Sequence, residues 1–119
     1  DKCFASILSR MMIQGDVLLC MSVSGTSPNI IEAAKRCKSM GNTVIALTGR
    51  VKERTKSVLS CDMRIAIDDT DYKLVEDAHL MICHRLVNEI ERKESENKHC
   101  KSLLRGQNAK GSLFKNKRT

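Results

Sequence analysis

The residues best suited to chemistry form a hydroxyl-rich loop at positions 22–27, which we call the serine loop. Its four hydroxyl groups are on Ser22, Ser24, Thr26 and Ser27. Gly25 allows a ligand to approach the backbone, and the helix predicted to follow offers N–H groups and a partial positive charge that favour an anion. No lysine follows in the frame of a nucleotide P-loop. The loop therefore predicts a phosphate cradle, with an ordinary Ser-rich helix cap as the alternative.

The elements around this loop alternate between strand and helix patterns. Continuous apolar runs, typical of strands buried on both faces, predict strands at residues 17–21, 43–47 and 63–67. Helical spacing predicts helices at residues 4–12, 53–59 and 74–90, and one that begins at Pro28 after the N-cap Ser27 and stops at Gly41. This order predicts an α/β fold with a parallel sheet. Three strands are few for such a sheet, and we expect an N-terminal part to be missing.

The length of the chain and the distribution of its charges limit the classes of protein to which it can belong. A chain of 119 residues makes one domain, and no apolar run approaches the roughly 18 residues that span a membrane. Residues 92–119 hold 9 basic and 2 acidic side chains, whereas residues 1–91 hold 12 of each. We expect a folded domain at residues 1–91 and a disordered basic tail at residues 92–119. Nucleic acid is then expected to bind at most non-specifically, through the tail.

The six cysteines are isolated in the sequence and form no C-x-x-C pair. This spacing supports neither a disulfide scaffold nor a zinc knuckle. We interpret them as reduced thiols that act as small apolar side chains in a cytoplasmic protein.

Three blocks resemble the SIS (sugar isomerase) domain family. They are GDVLL at 15–19, SVSGTSPN at 22–29 and VIALTG at 44–49. The first two are similar to the family pattern G-D-V-L-x-x-x-S-x-S-G-x-S-x-N. A fourth segment, VEDAHLMICH at 75–84, resembles one branch, the phosphoheptose (sedoheptulose 7-phosphate) isomerases. The resemblance covers about residues 3–91 and leaves the tail outside.

The resemblance implies a flavodoxin-like, three-layer αβα fold with a parallel sheet, assembled as a homo-oligomer with its active site between subunits. It implies that a phosphorylated sugar is isomerised between aldose and ketose through an enediol, often with Zn²⁺. The residues implied at the phosphate are Ser22, Ser24, Gly25, Thr26 and Ser27. The family's Gln and His on the last helix fall at Glu76 and His84, which are the implied catalytic residues and half of a metal site.

Departures from the family keep an alternative open. Glu76 replaces the Gln, although a carboxylate can still ligate zinc or act as a base. Val23 replaces a Thr, and Lys73 replaces an acid that contacts the sugar, for which Asp69 or Asp71 lies near enough in sequence to substitute.

The family's opening Gly-rich strand and loop, and a helix with a further His and Glu, do not occur in these 119 residues. The chain is therefore expected to be either a fragment of an isomerase or a non-catalytic SIS module. Such a module would sense a phosphosugar or scaffold a protein partner in replication or transcription.

Overall fold

The predicted strands form a three-stranded sheet in which every pairing is parallel and the order is β1-β2-β3. The computed structural model describes residues 2–50 and 59–115, with side chains as far as residue 103. The elements are α1 Cys3–Met11, β1 Val17–Ser22, α2 Pro28–Ser39, β2 Thr43–Thr48, β3 Met63–Ala66 and α3 Tyr72–Lys115. The predicted α/β class and parallel sheet are confirmed. The expected burial of the strands on both faces is wrong, because Val17 and Met21 lie on one face of β1 and are 56% and 49% exposed, and Met63 of β3 is also exposed. The helix predicted at residues 53–59 lies, apart from its last residue, outside the described residues.

The register brings the ends of all three strands to one edge of the sheet. Ser22 at the end of β1 is opposite Thr48 at the end of β2, and Thr48 is opposite Ala66 at the end of β3. Because the strands are parallel, the loops that follow them leave from the same edge. The sheet therefore brings together three loops that are distant in sequence.

Helix α2 begins and ends where the sequence predicts. Ser27 has the extended backbone of an N-cap, and Pro28 is the first helical residue. Gly41 follows the helix with φ +77, and its N–H donates to the carbonyl oxygen of Lys38 over 3.0 Å. Glycine adopts this left-handed conformation without the steric cost of a side chain, which explains the stop.

The core lies between α2 and the sheet. Its buried members are Cys20, Ala34, Cys37, Val44, Ala46 and Leu59. Burial raises the pKa of the Cys20 thiol to about 11, so this thiol stays protonated at neutral pH. None of the six cysteines, all of which are described, forms a disulfide. The interpretation of Cys20 and Cys37 as small apolar side chains agrees with their burial.

The prediction of a disordered tail is wrong for residues 92–115, which continue α3 as far as Lys115. Arg92 pairs with Glu89 and Glu96, three residues before it and four after it, and such pairs stabilise a helix locally. Such pairs support a helix even where few apolar side chains are buried. The chain divides into two compact units, Asp1–Met81 and Ile82–Thr119, rather than at residue 91. No helix in the described part of the chain is long and apolar enough to cross a membrane.

Candidate functional site

A cavity of about 290 Å³ opens where the three loops leave the sheet. The serine loop lines one part of it, the residue after Gly49 a second part, and the loop after β3 a third. The lining residues are Val23, Ser24, Thr26, Arg50, Asp69, Thr70 and Tyr72. In open α/β sheets, ligands bind outside the carboxyl ends of the strands, so this cavity is the candidate site.

Within the serine loop, Ser22 and Ser27 hold the backbone in shape. Their hydroxyl oxygens are 3.0 Å apart and share a hydrogen bond. The N–H of Gly25 donates to the carbonyl oxygen of Ser22 over 3.1 Å and to its hydroxyl over 3.2 Å. Gly25 has φ +69, which requires a residue without a Cβ or a strained one. Ser22 is buried and neither serine lines the cavity, so their contribution here is to the shape of the loop.

Ser24 presents an unused donor to the cavity. Its hydroxyl oxygen accepts from the N–H of Thr26 over 3.2 Å and from the Thr26 hydroxyl over 2.9 Å. Both bonds use lone pairs of the Ser24 oxygen, so its hydrogen is left for a ligand oxygen. Ser24 and Thr26 are therefore the two predicted phosphate-binding side chains that the structure brings to the cavity.

The N-terminus of α2 also suits an anion. Ser27 has N-cap backbone geometry, but its side chain makes no capping hydrogen bond, because its hydroxyl is bonded to Ser22. The Ser27 carbonyl accepts from the N–H groups of Ile30 and Ile31. The Ile30 N–H also donates to Oδ1 of Asn29 over 3.0 Å, and Pro28 has no N–H, so this helix end attracts an anion chiefly through its dipole. Ser27 is thus the N-cap as predicted, but its hydroxyl does not make the capping hydrogen bond.

Gly49 allows the three loops to come together closely. Its N–H donates to the carbonyl oxygen of Val23 over 2.9 Å. A Cβ at position 49 would lie 2.9 Å from that oxygen and 3.1 Å from the carbonyl oxygen of Asp69. Both neighbours are backbone atoms that move only if their loops move. The absence of a side chain at Gly49 therefore sets how narrow the cleft can be.

Arg50 is fixed at the cavity by the loop after β3. Its backbone N–H donates to the carbonyl oxygen of Asp69 over 2.8 Å. Its Nε donates to Oδ1 of Asp68 over 2.8 Å, and its Nη2 donates to the Asp68 carbonyl oxygen over 3.1 Å. Both side chains are exposed, so the ion pair adds little to stability, but it determines where the guanidinium lies.

The acidic loop after β3 is more than a solvated turn, because its carboxylates have separate partners. Asp71 caps α3, since its Oδ1 accepts from the N–H of Lys73 over 2.9 Å. Asp69 instead lines the cavity, and its Oδ1 accepts from the N–H of Asp71 over 2.8 Å. Backbone N–H groups of Asp71 and Thr70 lower the pKa of the Asp69 carboxyl below its ordinary value, and Arg50 adds to the effect. Asp69 is therefore an anion at neutral pH.

The two residues predicted for catalysis and metal binding are on α3 and are not among those that line the cavity. Glu76 and His84 are both exposed. Nowhere in residues 2–50 and 59–103 do three His, Cys, Asp or Glu side chains come close enough together to hold a metal ion. These residues do not fit a complete zinc site, and Glu76 and His84 stay a predicted half site. His79, on the same helix, is buried, with only 3% of its surface exposed.

Three lining residues were missed from the sequence: Arg50, Thr70 and Tyr72. A signal for them was present, because each follows the end of a predicted strand. Since parallel strands end at one edge of the sheet, residues just after each strand are candidates to share a site with the serine loop.

Comparisons with known proteins agree with this architecture. The family model described as "SIS domain" matches residues 1–49. A phosphoheptose isomerase from Cytophaga hutchinsonii is 37% identical over 89 residues, which are 74% of this chain and 46% of that protein. The chain thus spans about half the length of the curated relatives it matches.

Two solved structures are also similar. A phosphoheptose isomerase from Francisella tularensis superposes with a TM-score of 0.67 at 26% identity, over 75% of this chain and 49% of that one. One from Neisseria gonorrhoeae has a TM-score of 0.65 at 29% identity, over 71% of this chain and 48% of that one. This chain therefore matches the SIS domain model over residues 1–49 and is similar to part of the phosphoheptose isomerases over about three quarters of its length.

Proposed function

We propose that the cavity binds a phosphorylated sugar and that the protein interconverts the aldose and ketose forms of that sugar. The observation that carries the proposal is the unused Ser24 donor, which faces a cavity beside a helix N-terminus without a hydroxyl cap. A phosphate needs donors and positive potential, and this side of the cavity offers both. A volume of about 290 Å³ suits a small ligand.

Sedoheptulose 7-phosphate is the first substrate to test, because the similar proteins are phosphoheptose isomerases. None of these relatives supports the non-catalytic alternative. Isomerisation is therefore the activity that we propose. In the isomerisation, a base removes a proton from the carbon next to the carbonyl while the carbonyl oxygen gains one, and an enediol forms. The former carbonyl carbon then takes up a proton while the other enediol hydroxyl loses its own, so the reaction needs no oxidant or reductant.

Glu76 and His84 are the proposed acid–base residues, on the strength of the resemblance of their helix to the heptose branch. Zinc would polarise the substrate carbonyl if ligands from outside the described residues completed the half site of Glu76 and His84. Both side chains are exposed, so His84→Ala should leave the fold and sugar-phosphate binding intact while it abolishes turnover. Glu76→Gln removes the carboxylate that would take or give the proton, so its turnover should fall while sugar-phosphate binding is kept.

We also propose a homo-oligomer. Support comes from apolar side chains that α1 leaves exposed, namely Phe4, Ile7 and Met11. Exposed apolar patches of this kind are typical of protein contact surfaces. Light scattering coupled to size-exclusion chromatography on the wild-type protein and Met11→Glu tests this proposal, because a monomeric wild type would refute it.

Titration calorimetry with sedoheptulose 7-phosphate tests the proposed binding site. Ser24→Ala should weaken binding about tenfold, since the hydrogen bond that it removes reaches a charged group. Ser39→Ala is the matched control, because Ser39 is at the far end of α2 and its hydroxyl bonds only the Arg36 carbonyl oxygen. Equal affinities for the wild type and Ser24→Ala would show that the Ser24 hydroxyl does not bind the phosphate.

A further inference from the structure

The cavity has two chemically different sides. Ser24 and Thr26 follow β1, whereas Asp69 and Tyr72 follow β3, and β2 lies between them. Two strand spacings separate the loops by roughly 10 Å at their bases. One side offers hydroxyl donors and the other offers a carboxylate and an aromatic ring. Arg50, which follows β2, also lines the cavity, but its guanidinium is paired with Asp68. The serine loop is therefore the side with a donor left for a phosphate, and the Asp69 carboxylate disfavours the reverse direction.

The Asp69 carboxylate is unsuited to binding a phosphate and well suited to accepting hydrogen bonds from sugar hydroxyls. An ionised carboxylate only accepts hydrogen bonds, and it repels a phosphate dianion. The backbone N–H of Asp71 holds Oδ1 of Asp69 in place and leaves acceptor capacity on both carboxylate oxygens. Two adjacent sugar hydroxyls are donors that match this remaining capacity.

The neighbouring side chains complete a sugar-binding surface. Tyr72 is the first residue of α3 and is 58% exposed, so its ring is accessible to the C–H face of a sugar. Thr70 adds a hydroxyl to the same wall. Lys73, which occupies the position of the acid in the heptose enzymes, is exposed and does not line the cavity.

We infer that Asp69 is a specificity-determining residue that accepts the hydroxyls of the sugar, and that it directs the phosphate of the ligand to the serine loop. This inference rests on the proposed function, because it requires that a phosphorylated sugar bind in the cavity. It assigns to the loop after β3 the role of accepting hydrogen bonds from the sugar hydroxyls. A lysine at position 73 has no acceptor atom with which to do this.

Two ligands separate this role from general binding. Sedoheptulose 7-phosphate has both phosphate and hydroxyls, whereas inorganic phosphate has no sugar. The variant Asp69→Asn keeps an acceptor oxygen for the Asp71 N–H and loses the charge. We expect its affinity for sedoheptulose 7-phosphate to fall about tenfold, because hydrogen bonds to charged groups are lost. Its affinity for inorganic phosphate should stay within twofold of wild type or increase.

Asp16→Asn is the matched control. Like Asp69, the Asp16 carboxylate accepts a backbone N–H, that of Ile13 over 2.9 Å, but Asp16 precedes β1 and does not line the cavity. Loss of its charge should therefore leave the affinity for the sugar phosphate within twofold of wild type. Thermal unfolding of both variants checks that they fold. Equal losses for the two ligands in Asp69→Asn, no loss, or an equal loss in Asp16→Asn would each overturn the inference. If wild-type protein binds neither ligand, the proposed function itself fails, and the inference with it.

Discussion

The backbone N–H of Gly49 donates a hydrogen bond to the carbonyl oxygen of Val23 over 2.9 Å. This bond joins the end of the central strand to the serine loop, and the Asp69 carbonyl oxygen also lies only 3.1 Å from where a Cβ of residue 49 would be. The serine loop and the loop after β3, which form two sides of the cavity, therefore both contact Gly49, a residue without a side chain. The width of the binding cleft is determined by backbone packing at Gly49 rather than by the lining side chains.

Replacement of Gly49 by alanine should separate these loops. Its Cβ would lie 2.9 Å from a backbone oxygen, so the loops must move apart, at a cost of about 1–3 kcal/mol in unfolding free energy. Sugar-phosphate affinity should fall together with stability, because Ser24 and Asp69 lie on the loops that move. Urea denaturation and calorimetric titration measure the two effects.

Gly41→Ala is the comparison for that variant. Gly41 has φ +77 with nothing within 4 Å of a Cβ, so alanine strains the backbone without a clash and away from the cavity. It should lower stability by about 1 kcal/mol and leave affinity unchanged. If Gly41→Ala weakens binding as much as Gly49→Ala does, the effect at Gly49 is one of stability alone.

The hydrogen bond between Ser22 and Ser27 should be measurable as a coupling. Their hydroxyls share a bond of 3.0 Å in a partly buried loop. Each single change to alanine should cost about 1 kcal/mol of unfolding free energy, and the double variant should cost less than the sum of the two. Additive losses in the double-mutant cycle would show that the two hydroxyls act independently.

Asp62 should make stability depend on pH in acid. The side chain of Lys38 and the N–H of Val44 bind its carboxylate and lower its pKa below the ordinary value of 3.8. A lowered pKa stabilises the folded state above pH 3.8, and this contribution is lost as the pH falls through the folded-state pKa. Wild type should therefore have a higher Tm than Asp62→Asn at pH 7, and the difference should shrink below pH 3.8. A difference that is constant down to pH 2 would contradict this assignment.

Thiol reactivity should follow burial. Burial raises the pKa values of Cys20 and Cys37, whereas Cys100 is exposed. Iodoacetamide at pH 8 should modify Cys100 within minutes and reach Cys20 and Cys37 only after denaturant is added. Peptide mass spectrometry locates the labels. Rapid labelling of Cys20 in the native protein would contradict the packing described for the core.

The helical continuation of α3 can be tested by truncation after residue 91. Residues 92–115 provide about a third of the residues in the three helices, so their removal should lower the molar far-UV circular dichroism at 222 nm by about that fraction. An unchanged molar signal would instead support the disordered tail that composition predicts.

The main features of the fold follow from short-range patterns. Apolar runs such as residues 17–21 predicted the positions of the strands, although not their burial, and Pro28 and Gly41 delimit α2 through their backbone restrictions. These signals lie within a few residues of each other. The tail was mispredicted because its helix depends on pairs such as Arg92 with Glu89, whose local contribution a composition argument does not include.

The site was only partly predictable, because its residues come from three loops. Ser24 and Thr26 belong to one motif and were identified together. Arg50 and Tyr72 have no motif of their own, and only the strand register brings them to the cavity. The different functions of Asp69 and Asp71 depend on which N–H groups each carboxylate meets, and the sequence places both in the same acidic run.

The most direct test of the central claim is turnover of sedoheptulose 7-phosphate by the protein at its full natural length. The assay should include wild type, Ser24→Ala and His84→Ala, each with and without a zinc chelator. The account predicts isomerisation by wild type, reduced turnover by Ser24→Ala at subsaturating substrate, and none by His84→Ala. Absence of both turnover and binding in the wild-type protein, with the fold intact, would contradict it.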